Sequence, residues 1–256
     1  LALPEASPGR YILEVDIEWR GRTIRLFVNH WHSKSGGEVE TEPARREAAA
    51  ILVRRIRETR TDYGPHVIVA GDLNVNADEY ARREGAYSTA LRPEAILGLT
   101  GSRDGIFLTS HPERAKISED GVLLYSPWKA RLDGRTDVAD AGPPGTYVFR
   151  GRWNSLDHIL LGPGFAGCTF GEAKRGLRAG EFEVVAEPYM LSATGAPLRW
   201  RSDRASGYSD HLPVQITLRA GGARDRETKD GCHTHPPLSL RFSDALEGVP
   251  PYVRVR

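Results

Sequence analysis

Along residues 11–19, Tyr11, Leu13, Val15, Ile17 and Trp19 alternate with Ile12, Glu14, Asp16 and Glu18, the period-two pattern of a strand with one buried face. Arg20-Gly21-Arg22 is a tight-turn signal, and Ile24, Leu26 and Val28 resume the alternation toward Asn29 and His30. A hairpin is predicted, with His30 at a strand end. Thr41-Glu42-Pro43 has the chemistry of a helix start, with proline tolerated in the first turn and an acid at the positive end of the dipole. The helix runs to about Arg60. Ala48, Leu52 and Ile56 recur at four-residue spacing with Ile51 beside them, Arg45, Arg54, Arg55 and Arg57 take much of the remaining surface, and Tyr63-Gly64-Pro65 ends it. Alternation then disappears in Val67-Ile68-Val69-Ala70, as expected of a strand covered on both faces. That run stops at Gly71-Asp72-Leu73-Asn74, where the glycine permits a bend or a close approach and two polar groups reach the strand's own rim. Strand, strand, helix and buried strand in this order predict a mixed α/β protein.

From Asp78 to Thr146 the chain is less periodic and rich in Gly, Pro and charge, which predicts loops and short elements over the sheet edges, with a short helix near Glu79–Leu91. Strands return at Thr146–Phe149, at Leu156–Leu161 with Asp157 and His158 near its start, at Phe182–Val185, and at Pro213–Leu218, just after Ser209-Asp210-His211. Beyond Leu218 the composition shifts to Gly221-Gly222, a charged run and Pro250-Pro251. A main domain over residues 1–218 is therefore expected, followed by a polar, Gly/Pro-rich tail over 219–256 that is flexible or lies along the surface.

Composition changes this picture little. The 256 residues suit one large domain, and 35 Lys plus Arg against 34 Asp plus Glu leave a formal net charge of +1, so no global field marks a nucleic-acid or membrane protein. No apolar run reaches the roughly 20 residues a membrane-spanning helix needs. Leu1–Pro8 lack the regions of a signal peptide and the chain does not begin with Met, which suggests processing or a fragment and leaves localisation open between secreted and cytoplasmic. Cys168 and Cys232 allow one disulfide without fixing a compartment. Cys232, His233 and His235 lack the second ligand pair of a zinc site and read as a polar tail.

The candidate chemistry lies at strand ends: His30 with Ser33, Asp72 with Asn74, Asp157 with His158, and Asp210 with His211. If these ends converge, they supply carboxylates for a hard divalent cation, imidazoles that exchange protons near neutral pH, and an amide for a phosphoryl oxygen. In the order His30-x-x-Ser33, helix near Arg45, Gly71-Asp72-Leu73-Asn74, Trp153-Asn154-Ser155-Leu156-Asp157 and Ser209-Asp210-His211-Leu212-Pro213, the chain resembles the endonuclease/exonuclease/phosphatase superfamily of DNase I-like proteins. The resemblance spans about Tyr11 to Leu218 and looks most like a bacterial branch.

The resemblance implies a four-layer α/β sandwich of two mixed sheets flanked by helices and a phosphodiester hydrolase using Mg2+ or Mn2+. It implies that Asp72 orients or deprotonates water, Asn74 fixes a phosphate oxygen, His211 contacts the phosphate or shares proton transfer, His30 faces the other side of the scissile group, and Asp157 orients one of the two histidines. Asp210 would help bind the metal, with Asn154, Trp153 and Tyr208 beside the substrate. The expected partner is nucleic acid or another phosphodiester. Phosphomonoesterase and phospholipid diesterase are the alternatives within the fold, and a non-catalytic binding module is the alternative outside enzymology. His32, His66 and His158 read as structural, and Trp31, Trp128 and Trp200 as core or loop anchors. Arg199, Arg201 and Arg204 read as a solvated face.

The family pattern begins with strands carrying an Asn and a metal-binding Glu that this sequence does not show, so amino-terminal truncation, or completion of the sheet by a missing segment or second chain, is expected. Glu14, Asp16 and Glu18 are poor substitutes. Magnesium is accordingly expected to bind this chain weakly, and calorimetry giving micromolar affinity would refute that expectation.

Overall fold

The computed structural model describes residues 10–19, 21–63, 66–84, 87–99, 104–135, 142–166, 177–220, 238–243 and 252–255. In chain order the strands and α-helices are β1 (Leu13–Trp19), β2 (Arg22–His30), α1 (Glu42–Tyr63), β3 (Val67–Asp72), α2 (Glu79–Arg82), β4 (Leu91–Pro93), β5 (Ile106–Thr109), β6 (Lys116–Ser118), β7 (Gly121–Tyr125), α3 (Pro127–Leu132), β8 (Tyr147–Phe149), β9 (Arg152–Asn154), β10 (Asp157–Leu161), β11 (Leu177–Val184), β12 (Val214–Ala220), β13 (Leu238–Ser243) and β14 (Tyr252–Val255). A large mixed sheet has the order β1-β2-β3-β10-β7-β5-β4, with β6 beside β7. A second, antiparallel sheet has the order β11-β12-β13-β14, and β8 and β9 form a hairpin.

Side-chain parity assigns the layers. In β3, Val67 and Val69 join Phe27, Leu160 and the α1 residues Ala48, Leu52, Val53 and Ile56 in one core, while Ile68 and Ala70 join Leu26, Val28, Ile159 and Leu161 in the other. The second core is completed by Phe182, Val214, Ile216, Leu218 and Leu240 of the smaller sheet. Successive strand residues point to opposite faces, so a strand without polar alternation must have apolar cover on both. Helix α1 supplies one cover and the smaller sheet the other. This α/β stack meets the sandwich expectation, with only the larger sheet mixed.

The expected hairpin is present, pairing Leu13 with Val28 through to Trp19 with Arg22. Its first strand departs from the expected burial. Tyr11 and Leu13 are exposed and Ile12 is buried, while Val15, Ile17 and Trp19 are partly buried against the core. An edge strand has cover on one side of its length only, and Ile12 lies just before the regular pairing begins. Glu14 and Asp16 bind Arg25, and Glu14 also binds Arg55. These acids are committed to the hairpin's polar face.

Three further expectations are corrected. The segment 78–146 is not confined to sheet edges, because β5 and β7 are buried strands of the large sheet; runs as short as Ile106–Thr109 carry no readable period. The helix near Glu79–Leu91 is only α2, and Leu91 already belongs to β4. The segment 219–256 is not simply a tail: β13 pairs with β12, burying Leu238 and Leu240. The Leu238-Ser239-Leu240 alternation was the available signal. Cys168, Cys232, His233 and His235 lie outside the described residues.

His158 bears out its structural reading. It is fully buried and donates from Nε2 to the Val75 carbonyl at 2.8 Å. Burial lowers its pKa from 6.5 to about 4, against the raising effect of the Val75 hydrogen bond and the Asp157 charge.

Two measurements test this packing. Leu240→Ala should lose about 2–5 kcal/mol in urea unfolding, as expected of a buried leucine, whereas a solvated tail would give a change within about 0.5 kcal/mol. His158 should make stability fall as pH drops from 6.5 toward 4, because only the unfolded chain takes up its proton in that window. The full difference is roughly 3 kcal/mol. In His158→Gln this one-proton slope should vanish, and an unchanged slope would assign the acid sensitivity elsewhere.

Candidate active site

Sheet register builds the site. His30 is the parallel partner of Asp72, and Asp157 is the antiparallel partner of Asp72, so the three stand in one row across β2, β3 and β10. The ladder continues past them through Trp31 N–H to the Asp72 carbonyl and Leu73 N–H to the Leu156 carbonyl, each 2.9 Å. Gly71 is required here. Its φ is +128° and a Cβ would lie 1.9 Å from the Asn29 carbonyl oxygen, a space that only glycine leaves. His211 arrives from the segment before β12, held by its bridge to Tyr147 and by Leu212 N–H donating to the Thr146 carbonyl at 2.8 Å.

Asp72 is almost fully buried. Its Oδ1 accepts the Asn74 backbone N–H at 2.8 Å and its Oδ2 accepts Asn74 Nδ2 at 2.9 Å. Asn74 adopts φ +52°, a left-handed conformation that asparagine tolerates because its amide bonds locally. The same Nδ2 donates to the Trp31 carbonyl at 3.1 Å. Flipping the amide would set its oxygen against two acceptors, so the hydrogens point as stated and both are spent. In this geometry Asn74 holds Asp72 in place, which revises its expected contact with phosphate. His30 Nε2 lies 3.6 Å from Asp72 Oδ2, on the exposed side.

Asp157 settles which histidine it holds: His211 Nδ1 donates to its Oδ2 at 2.7 Å. Nε2 is the other ring nitrogen of His211. The Asp157 backbone is fixed by Trp128 Nε1, which donates to its carbonyl at 2.8 Å. Its Oδ1 is buried without a hydrogen-bond partner among the described residues. Tyr147 packs on the His211 ring at 4.7 Å between centroids, and burial raises the Tyr147 pKa, with the Asp210 charge adding to it. One potential ligand atom from each of Asp72, Asp157 and His211 lies within 4.8 Å of the others.

The remaining expected residues surround this group unequally. Asp210 stands outside it, 42% exposed in its side chain and 3.8 Å from Arg199 Nε. Asn154 accepts from Asn76 Nδ2 at 3.2 Å, and Trp153 packs partly buried against the core. Tyr208 is exposed and meets Tyr189 edge-on at 5.1 Å. Ser33 Oγ accepts the Ser35 N–H at 3.3 Å, a local turn bond. Trp31 and Trp128 are core residues. Arg201 and Arg204 are exposed beside Asp203.

Sequence reasoning missed a polar clasp beneath the site. Buried Glu79 accepts the Asn76 N–H at 2.9 Å and binds the Lys34 ammonium, while Asn76 Oδ1 accepts the Ser155 N–H at 2.9 Å. The loops carrying Asn74 and Asp157 are thereby joined. Burial lowers the Lys34 pKa despite Glu79. Asn76-x-x-Glu79, with the acid reaching back to the earlier N–H, has the sequence form of a capping box and was a usable signal. Arg45, read as surface, is fully buried: its guanidinium binds Glu42 and donates to the carbonyls of His32 at 3.2 Å and Glu38 at 2.7 Å. It holds the loop after His30 from within.

Residues 4–95 match the model of the Endonuclease/Exonuclease/phosphatase family. No curated protein matches the chain. Similar solved structures include humanized D. rerio TDP2, with 14% identity over 85% of this chain and 63% of that one and a TM-score of 0.45. Truncated Caenorhabditis elegans TDP2 has 12% identity over 84% and 62%, with a TM-score of 0.45. A beta toxin from Staphylococcus aureus has 16% identity over 81% and 56%, with a TM-score of 0.41. The chain spans less than two thirds of each of these structures. The stretch similar to the Endonuclease/Exonuclease/phosphatase family, residues 4–95, takes in His30, Asp72 and Asn74, while Asp157 and His211 lie beyond it.

Proposed function

We propose that this protein is a divalent-metal-dependent phosphodiester hydrolase, acting as a nuclease, with the scissile phosphate placed between Asp72 and His211. The observation that carries the reading is the pair of buried carboxylates facing each other across β3 and β10, one of which holds His211 by Nδ1 at 2.7 Å. In-line displacement at phosphorus needs an oriented water on one side and charge neutralisation around the equatorial oxygens. Asp72, locked by Asn74, orients the water and accepts its proton. His211, kept in one tautomer by Asp157, presents Nε2 to a phosphoryl oxygen and donates a proton from it when charged. His30, on the exposed side of Asp72, contacts the opposite side of the scissile group.

The donor set fits a hard divalent cation such as Mg2+ or Mn2+. Asp157 Oδ1 is a buried acceptor without a partner among the described residues, and Asp72 and His211 offer further ligand atoms within 4.8 Å. Asp72 and Asp157 would hold the ion, with His211 beside it; Asp210 is not among the three residues. When bound, such an ion neutralises charge on phosphoryl oxygens and acidifies a coordinated water. Two carboxylates without a larger oxygen cage are consistent with weak binding, on the order of 10⁻⁴–10⁻³ M.

The exposed Tyr189–Tyr208 pair and neighbouring Arg199, Arg201 and Arg204 support nucleic acid as substrate, since bases stack on aromatic faces and phosphates attract guanidinium groups. Asn154 and Trp153 would border the same substrate from the β9 side.

Hydrolysis of a bis(nitrophenyl) phosphate in Mg2+ or Mn2+ should be stopped by EDTA and should fall on the order of 10²–10⁴-fold in both Asp72→Asn and Asp157→Asn. Plasmid DNA should be cut, less so at high salt. Cleavage of a nitrophenyl monoester but not the diester would replace the nuclease reading with a phosphomonoesterase, and the absence of turnover on all three substrates would sink the enzyme reading.

A further inference from the structure

A cavity of about 290 Å³ lies between the first turns of α1 and the segment around β4, and none of its lining residues belongs to the Asp72 group. Arg92 is its buried polar element, only 4% exposed. Arg92 Nε donates to the Thr89 carbonyl at 3.2 Å, and the guanidinium lies 5.9 Å from the Phe107 ring centroid. Its two terminal Nη groups have no hydrogen-bond acceptor among the described residues. Gly105 keeps the space beside them open, since a Cβ there would come within 3.1 Å of the guanidinium carbon.

The rest of the wall divides by chemistry. Arg46 is exposed on α1 and makes no ion pair among the described residues. Pro43, Ala49, Ala50 and Ala90 are apolar. Glu47 and Asp104 are exposed and line the same cavity. The buried charge is therefore positive, while the exposed part of the lining carries Arg46 beside the acids Glu47 and Asp104. Burial and the neighbouring Arg46 both disfavour the charge on Arg92, with Tyr80, Asp104 and Glu42 acting the other way. Glu42 is already engaged, binding Arg45 and accepting the Ala90 N–H at 2.6 Å.

A buried guanidinium whose terminal groups meet no acceptor among the described residues is costly unless a ligand or solvent supplies one. At about 30 Å³ per water, the cavity is larger than one or two solvent molecules would fill, and Pro43, Ala49, Ala50 and Ala90 give it an apolar side. We infer that this cavity is a second, non-catalytic binding site for a small organic phosphate monoester, with the phosphate on Arg92 and Arg46 and the carbon portion against Ala49, Ala50 and Ala90. Two guanidinium groups match a dianion better than a carboxylate. Glu47 and Asp104 repel a long polyanion, which separates this site from one that follows a nucleic-acid backbone. The inference is independent of the hydrolase reading, because it uses none of the same residues and needs neither metal nor turnover.

The test is titration of the full chain in EDTA with glycerol 3-phosphate, inorganic phosphate or acetate, followed by calorimetry and by backbone amide shifts. Glycerol 3-phosphate should bind more tightly than either other anion, move the amides of Arg46, Ala90 and Gly105, and bind equally well to Asp72→Asn. Arg92→Met and Arg46→Ala should each weaken it about tenfold or more. Arg46 is exposed, so Arg46→Ala keeps the test decisive if Arg92→Met does not fold. Unchanged affinity in Arg46→Ala, shifts confined to the surroundings of Asp72 and His211, equal affinity for inorganic phosphate or acetate, or no binding would each overturn the assignment.

Discussion

The structure turns on two carboxylates that face each other at the buried rim of a strand pair. Asp72 and Asp157 are direct partners in the β3–β10 ladder, and their ligand atoms come within 4.8 Å. Two negative charges at that distance repel by about 3–4 kcal/mol at an effective dielectric near 20. The surroundings answer that repulsion in part. Asn74 gives Asp72 two hydrogen bonds, His30 stands on its open side, and His211 gives Asp157 one. The ladder register makes the constraint unavoidable. Shifting β10 by one residue would turn Asp157 away and bring His158 to the rim; the two-sided apolar packing of Ile159, Leu160 and Leu161 opposes that slip.

Holding the carboxylates still requires the loops after each strand to be fixed, and the polar groups beneath the site do this. Glu79 and Asn76 connect the loop after β3 to the loop before β10, and Lys34 draws in the loop after β2. Arg45 secures that third loop from inside. Buried ions of this kind add little net stability compared with apolar packing, yet removing one partner is expensive, about 3–5 kcal/mol. Their contribution is geometric. They fix where three loop backbones lie around the rim that carries Asp72 and Asp157.

This division explains what the amino-acid sequence disclosed. The buried strand ending at Asp72, the β1–β2 hairpin, α1 and β12 were legible because each has enough residues for its period to show. β5 and β7 were not: strands of four and five residues are too short to show a period, and their place in the large sheet depends on the pairing of β7 with β10. At the site, His30, Asp72, Asp157 and His211 were legible as motifs in order. The partnership of Asp157 with His211 was not, since it joins residues 54 positions apart through two sheets. Arg45 illustrates the opposite error. An arginine among arginines on a helix reads as solvated, and only the loop wrapped over it, with its unpaired carbonyls, makes it a core residue.

The treatment of Asn74 shows why the compensation around the carboxylates is incomplete. Its amide hydrogens are consumed by Asp72 and the Trp31 carbonyl, so the residue that could have met a phosphoryl oxygen steadies a carboxylate. Asp157 Oδ1 receives no hydrogen bond from the described residues. A buried carboxylate oxygen without a donor costs about 1–3 kcal/mol or more, and the neighbouring charge on Asp72 adds to that cost. Further packing cannot relieve it, because the deficiency is one of positive charge. A cation can, and one that binds there gains the free energy that the protein alone leaves uncompensated. The site is therefore least comfortable without a ligand, and the rigidity supplied by Asn74, Asn76 and Arg45 prevents the carboxylates from escaping by moving apart. Cation affinity and fold stability are then linked through the same two side chains, since an ion that binds only the native state stabilises it by mass action.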